Sequence, residues 1–128
     1  MVKKVLFINR LSPASIIPEI LAGAGYEVNE AYDSEAALHR LEAQAYDMVI
    51  LMENAAVESW MFCARVRRMT ASPFMVISSG ASAESSVRAI FAGADFFIRK
   101  PFGPMELLAR INALFQRVPA QQPVPLNS

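Results

Sequence analysis

Short apolar runs alternate along the chain with stretches in which apolar residues recur every three or four positions. Lys4-Val5-Leu6-Phe7-Ile8 has the length of a strand and the continuous apolarity of one buried on both faces. Ser12-Pro13 then predicts a helix start, with Ile16, Ile17, Ile20 and Leu21 on one stripe. Pro18 interrupts that stripe and kinks or delays the helix, and Gly23 and Gly25 end it. Tyr26-Glu27-Val28 opens a second strand. Asp33-Ser34 caps a second helix with Ala37, Leu38 and Leu41 inward. Asp47 to Met52 is a third strand, and Trp60 to Met69 a third helix with Phe62, Val66 and Met69 spaced for burial. Phe74-Met75-Val76-Ile77, a helix striped by Val87, Ile90 and Phe91, the strand Asp95-Phe96-Phe97-Ile98, and a helix opened by Pro104 complete the pattern. That last helix places Leu107, Leu108, Ile111, Leu114 and Phe115 on one face.

Five strand–helix units with short connections predict an α/β fold: a doubly wound, five-stranded parallel sheet with helices on both faces, of the flavodoxin-like (βα)5 type. Such sheets hold their functional crevice outside the carboxyl ends of the strands, at a topological switch point. That rule selects Asn9, Arg10, Met52, Glu53, Ser78 and the segment around Lys100. The period stops at Val118, so residues 1–118 are read as one domain. Residues 119–128, with Pro119, Pro123 and Pro125, are read as a linker or tail.

Composition narrows the function classes. The chain has 128 residues, enough for one compact domain, and 12 basic residues balance 12 acidic ones. Neutral balance supplies no basic face for direct nucleic-acid binding. No apolar run approaches the roughly 20 residues that span a bilayer, and no signal-peptide core follows Met1-Val2-Lys3-Lys4, so a cytoplasmic location is expected. The single cysteine, Cys63, excludes an internal disulfide and reads as a small buried apolar residue. With no Ser-His-Asp set, metal-ligand cluster or phosphate-cradling glycine loop, the chain is not expected to be an enzyme.

Several separated segments carry a family resemblance. Gly25-Tyr26-Glu27-Val28, Ala31-Tyr32-Asp33-Ser34-Glu35-Ala36-Ala37-Leu38, Tyr46-Asp47-Met48-Val49-Ile50-Leu51 and Gly93-Ala94-Asp95-Phe96-Phe97-Ile98-Arg99-Lys100-Pro101-Phe102 occur in order. Together they resemble the CheY-like receiver domain of response regulators over about residues 3 to 117. The resemblance implies five working positions: an acidic pair after the first strand that holds magnesium, a phosphoacceptor aspartate after the third, a hydroxyl after the fourth and a lysine after the fifth. Here the acidic pair is Asn9 and Arg10, the acceptor is Met52, the hydroxyl is Ser78 and the lysine is Lys100. The three carboxylates are gone, and a thioether forms no acyl phosphate. Lys100-Pro101 matches the family's cis peptide, and Phe97 the aromatic whose rotamer reports activation; as a plain strand residue, Phe97 is equally an apolar core position.

Charge decides the expectation for this degenerate pocket. Magnesium takes hard oxygen ligands. A divalent ion roughly 6 Å from Arg10 or Lys100 would be repelled by about 5 kcal/mol at an effective dielectric near 20. Magnesium binding and phosphorylation are therefore expected to be lost, leaving no cofactor. Glu53 follows Met52, and strand alternation points it the other way; it reads as a solvated loop glutamate, or as a partner of Arg10 imitating the phosphorylated state. Arg10 either folds over the pocket or extends into water. A small anion held by Arg10, Ser78 and Lys100 is a third arrangement.

The segment Asn54-Ala55-Ala56-Val57-Glu58-Ser59 lacks the Pro-Gly usual in the family. His39 and the cluster Arg65, Arg67 and Arg68 read as solvated helix faces, and Trp60 as an aromatic anchor at the start of the third helix. The resemblance implies a two-component or phosphorelay signalling module that acts by binding protein: a histidine kinase, an output domain or another signalling protein. A homodimer through the fourth helix, fifth strand and fifth helix, near Arg88, Phe97 and Arg110, is also implied. Two alternatives stay open: a phosphorylatable receiver using a displaced carboxylate such as Glu53 or Asp47, and the regulatory head of a longer transcription factor or signalling enzyme.

Overall fold

The computed structural model describes residues 2–10, 15–53, 57–78, 88 and 92–120. Its elements are β1 (Lys4–Asn9), α1 (Ile17–Gly23), β2 (Glu27–Ala31), α2 (Ser34–Ala43), β3 (Met48–Met52), α3 (Val57–Met69), β4 (Phe74–Ser78), β5 (Phe96–Arg99) and a last helix, Pro104–Ala120. The helix expected around Val87, Ile90 and Phe91, the start at Ser12-Pro13 and most of the Pro-rich tail lie outside the described residues. The strands form one parallel sheet in the order β2-β1-β3-β4-β5. The order reverses between β1 and β3, so the switch point lies where Asn9 pairs with Met52.

Alternation along the strands divides the core in two. Leu6, Ile8, Leu51 and Val76 pack with Ala37 of α2 and with Phe62, Cys63 and Val66 of α3. Val5, Phe7, Ile50 and Met75 pack on the other face with Ile17 and Leu21 of α1 and with Leu107, Ile111 and Leu114. The continuous apolarity of β1, β3 and β4 is explained by helices on both sides. Each fully buried Phe, Leu or Ile contributes about 1.5–3 kcal/mol of transfer free energy. Among the described residues, no helix is long and apolar enough to cross a membrane.

Local chemistry sets the element ends. α1 starts at Ile17 with Pro18 in its first turn, where the missing N–H has no intrahelical acceptor to lose. Proline thus delays the helix and does not kink it. Ile16, expected on the buried stripe, falls before the first turn and is 63% exposed. Gly25 takes φ +98° after the helix end, and Tyr26 N–H donates back to Leu21 O. The Asp33 carboxylate accepts the Ala36 N–H at 2.8 Å, which caps α2 as expected.

The arginine cluster on α3 does not behave as one solvated face. Arg65 and Arg68 are exposed, and His39 on α2 is exposed too. Arg67 is half-buried and ties three elements together. Its Nε donates to Gly93 O at 2.9 Å, and its two terminal nitrogens donate to Ser72 O, Thr70 O and Asp95 Oδ2. Asp95 also accepts the Phe74 N–H at 2.8 Å. One side chain thereby joins the end of α3 to the starts of β4 and β5.

Candidate functional site

The crevice is assembled by extending the sheet ladder one residue past the strand ends. Arg10 N–H donates to Met52 O at 2.9 Å, Glu53 N–H to Ile77 O at 3.0 Å, and Lys100 N–H to Ser78 O at 2.9 Å. Extended backbone keeps the two-residue side-chain alternation. Met52 therefore joins the cluster under α1 and the last helix and is only 1% exposed. Glu53 turns to the opposite face, toward α3.

There it meets Arg10. The guanidinium stands 3.2 Å from Glu53 Oε1 and lies over the Phe62 ring at 5.1 Å. The Glu53 side chain is 5% exposed and that of Arg10 26%. The solvated-loop reading of Glu53 is corrected: continued ladder bonding carries it into the fold. Of the two readings of Arg10, the structure selects the folded one. A planar cation stacked on an aromatic face keeps its edge free for a carboxylate, which suits this geometry.

The remaining positions are dispersed about that pair. Asn9 and Ser78 are buried at the ends of β1 and β4. Lys100 is exposed, precedes a cis bond to Pro101, and borders a cleft of about 610 Å³ shared with Ser15, Ile16 and Ile20 at the start of α1. Arg10 is thus committed to Glu53, while Lys100 borders the cleft beside α1. Phe97 is half-buried against the core face beneath α3. Arg110 stacks on Phe96 at 5.2 Å and Arg88 on Trp60 at 4.7 Å. Asp47 is at the opposite end of β3, where its carboxylate accepts the Lys4 N–H at 2.7 Å. That location removes Asp47 from the crevice.

Cys63 lies under the ion pair. Burial first, and then the Glu53 carboxylate, push its thiol up to about 12, against the opposing pull of Arg10. It is therefore a protonated core residue, inert as a nucleophile. Its folded pKa lies above the ordinary 9.0, so the associated stability is complete below pH 9 and is lost as pH rises toward 12. Cys63→Ala is expected to flatten the fall in unfolding free energy across that window, measured by urea titration. At pH 8 a thiol reagent is expected to leave the folded chain unmodified and to label it fully in urea. Rapid labelling of folded protein would contradict this burial.

A doubly wound sheet with its crevice at the β1/β3 switch point defines a class of α/β signalling and nucleotide-binding modules. Within that class the family is shown by sequence: the response regulator receiver domain matches residues 12–112, and the chain belongs to that family. It is 30% identical over 108 residues to response regulator ArlR of Staphylococcus aureus, covering 84% of this chain and 49% of that protein. The chain thus spans about half the length of the curated relatives it matches. A putative response regulator from Chloroflexus aurantiacus superposes with a TM-score of 0.80 at 25% identity, over 91% of this chain and 100% of that one. The chemotaxis protein CheY4 of Vibrio cholerae does so with a TM-score of 0.79 at 27% identity, over 89% and 99%. The chain is a response regulator receiver domain of two-component signalling.

Proposed function

We propose that this receiver signals without phosphoryl transfer and acts by docking to another protein. The supporting observation is the pairing of Arg10 with Glu53 beside a buried Met52. A phosphoacceptor must present an oxygen nucleophile to a metal-bound donor. At the acceptor position stands a thioether packed among apolar side chains. The neighbouring carboxylate faces α3 and is neutralised by an arginine, so a divalent ion would find a cation where it needs hard oxygen ligands. Among the described residues, no group of three or more His, Cys, Asp or Glu could hold a metal ion.

The ion pair also suggests what replaces the switch. In a phosphorylated receiver, a new anion near the end of β3 draws in cations. Here Glu53 supplies a permanent anion at that level and Arg10 the cation, so the domain holds one state. Its output is set by the presence of a partner: a histidine kinase, an output domain or another signalling protein. The strip around Arg88, Phe97 and Arg110 is the face for that contact or for a second copy. A second reading is favoured by the half-length match to longer regulators: the chain serves as the regulatory head of a larger protein.

Incubation with magnesium and a small phosphodonor such as acetyl phosphate tests the chemistry. The intact mass is expected to stay unchanged. Addition of one phosphoryl mass, about 80 Da, would establish the displaced-carboxylate alternative, with Glu53 the residue to examine by Glu53→Gln.

A further inference from the structure

Lys100 separates from the rest of the former phosphoryl site. Its backbone is fixed by the bond to Ser78 O, yet its side chain is exposed and forms no ion pair among the described residues. It borders a cleft of about 610 Å³ between the start of α1 and the Lys100–Phe102 segment. That volume is in the range that holds small ligands, roughly 300–1,000 Å³. The walls are mostly apolar: Ile16, Ile17 and Ile20 on one side, Pro101, Phe102 and Pro104 on the other.

Among the described residues, two members of the lining carry side-chain donors. One is Lys100, with its ammonium. The other is Ser15, whose hydroxyl oxygen already accepts the Ile17 N–H at 3.1 Å, leaving its O–H to donate. Among the described residues, the one acidic side chain in the lining is Glu19, exposed on α1. Its charge disfavours a dianion and favours a ligand with a single negative group directed at Lys100. The cleft stands apart from the Arg10–Glu53 pair: Met52 packs beneath this face, while Glu53 turns toward α3.

We propose that this cleft binds a small amphipathic monoanion, with its apolar body between Ile20 and Phe102 and its carboxylate or sulfonate on Lys100. Occupancy ties α1 to the segment leading into the last helix, giving the domain a chemical input that needs neither metal nor phosphoryl donor. The inference is independent of the fate of Met52, because Lys100 would line the cleft in either case.

The probe is 2-naphthoate, with neutral 2-naphthalenemethanol as its matched control, titrated against the full chain by calorimetry and by amide chemical shifts. Naphthoate is expected to saturate with a submillimolar Kd and to shift the amides of Ile16, Ile17, Ile20, Phe102 and Met105. The alcohol is expected to bind at least fivefold more weakly. Lys100→Gln, an exposed change compatible with folding, is expected to weaken naphthoate about fivefold and leave the alcohol unchanged. No saturable binding, or equal affinity of acid and alcohol, or indifference of naphthoate to Lys100→Gln, would each overturn the proposal. Phosphorylation assays bear on none of these outcomes.

Discussion

Gly93→Ala is expected to lower the unfolding free energy by about 3 kcal/mol, measured by urea denaturation. Gly93 holds φ at +127°, where side-chain-bearing residues are strained. A Cβ there would lie 2.7 Å from Arg67 Cβ and 2.8 Å from Arg67 Cγ. The nearest obstacle is the root of the arginine side chain, fixed to the α3 backbone, so a rotamer change cannot clear it. The substitution must displace α3 or the turn before β5, and either movement pulls Arg67 off Gly93 O, Ser72 O and Asp95. Strain of about 1–3 kcal/mol and loss of charged hydrogen bonds act together.

Arg67→Ala tests the same junction from the other side. It deletes the donors but keeps the Cβ, and is expected to cost about 2–3 kcal/mol. The ion pair with Asp95 contributes little of that, since both side chains are about a third exposed. Most comes from carbonyls left without a donor at the ends of α3 and β4. Because Gly93→Ala already disturbs these bonds, the double variant is expected to be less than additive. Gly23→Ala is the control: it lies in α1 with nothing within 4 Å of a new Cβ, and is expected to be neutral or slightly stabilising. Equal melting curves for Gly93→Ala and Gly23→Ala would refute the geometric account.

These residues also show where sequence reasoning reached and where it stopped. The strands of the core were legible because β1, β3 and β4 need two covered faces, and only continuous apolar runs meet that need. The strand ends were legible for a related reason: parallel register sets Asn9 beside Met52 and Met52 beside Ile77, the residue before Ser78. Arg67 was not legible. Three arginines in four helical positions look like a wet face, and nothing local reveals that one of them reaches the carbonyls of two later segments. Gly93 and Asp95 were visible as family-like residues, but their partner was 26 and 28 positions away, respectively. Ile16 was misread because apolar spacing does not show where a helix begins; Pro18 fixed that start. For Glu53 the sequence left two readings, a solvated loop residue and a partner of Arg10; the structure shows the pairing, because the Glu53 N–H still bonds Ile77 O and holds the residue in the extended alternation.

That ladder bond makes the ion pair a sharp test of the proposed single-state domain. Arg10→Met and Glu53→Gln remove opposite members of the pair but are expected to differ in cost. The Glu53 side chain is 5% exposed, and losing the guanidinium at 3.2 Å withdraws its counter-charge in a poorly solvated site. The expected loss is about 2–3 kcal/mol, below the roughly 3–5 kcal/mol typical of fully buried pairs because water reaches Arg10. Glu53→Gln leaves a cation that is 26% exposed and still stacked on Phe62, free to turn outward. That variant is expected to lose about 1 kcal/mol. Replacing both at once, Arg10→Met with Glu53→Leu, removes both charges and their desolvation, and is expected to fall within about 1 kcal/mol of the parent. The pair would then matter for conformation more than for stability. A double variant that keeps its melting temperature but loses its protein partner would place the signalling state in the charge pair itself. Equal costs for the two single variants would instead mean that Arg10 and Glu53 are comparably hydrated, and the locked crevice would have to be abandoned.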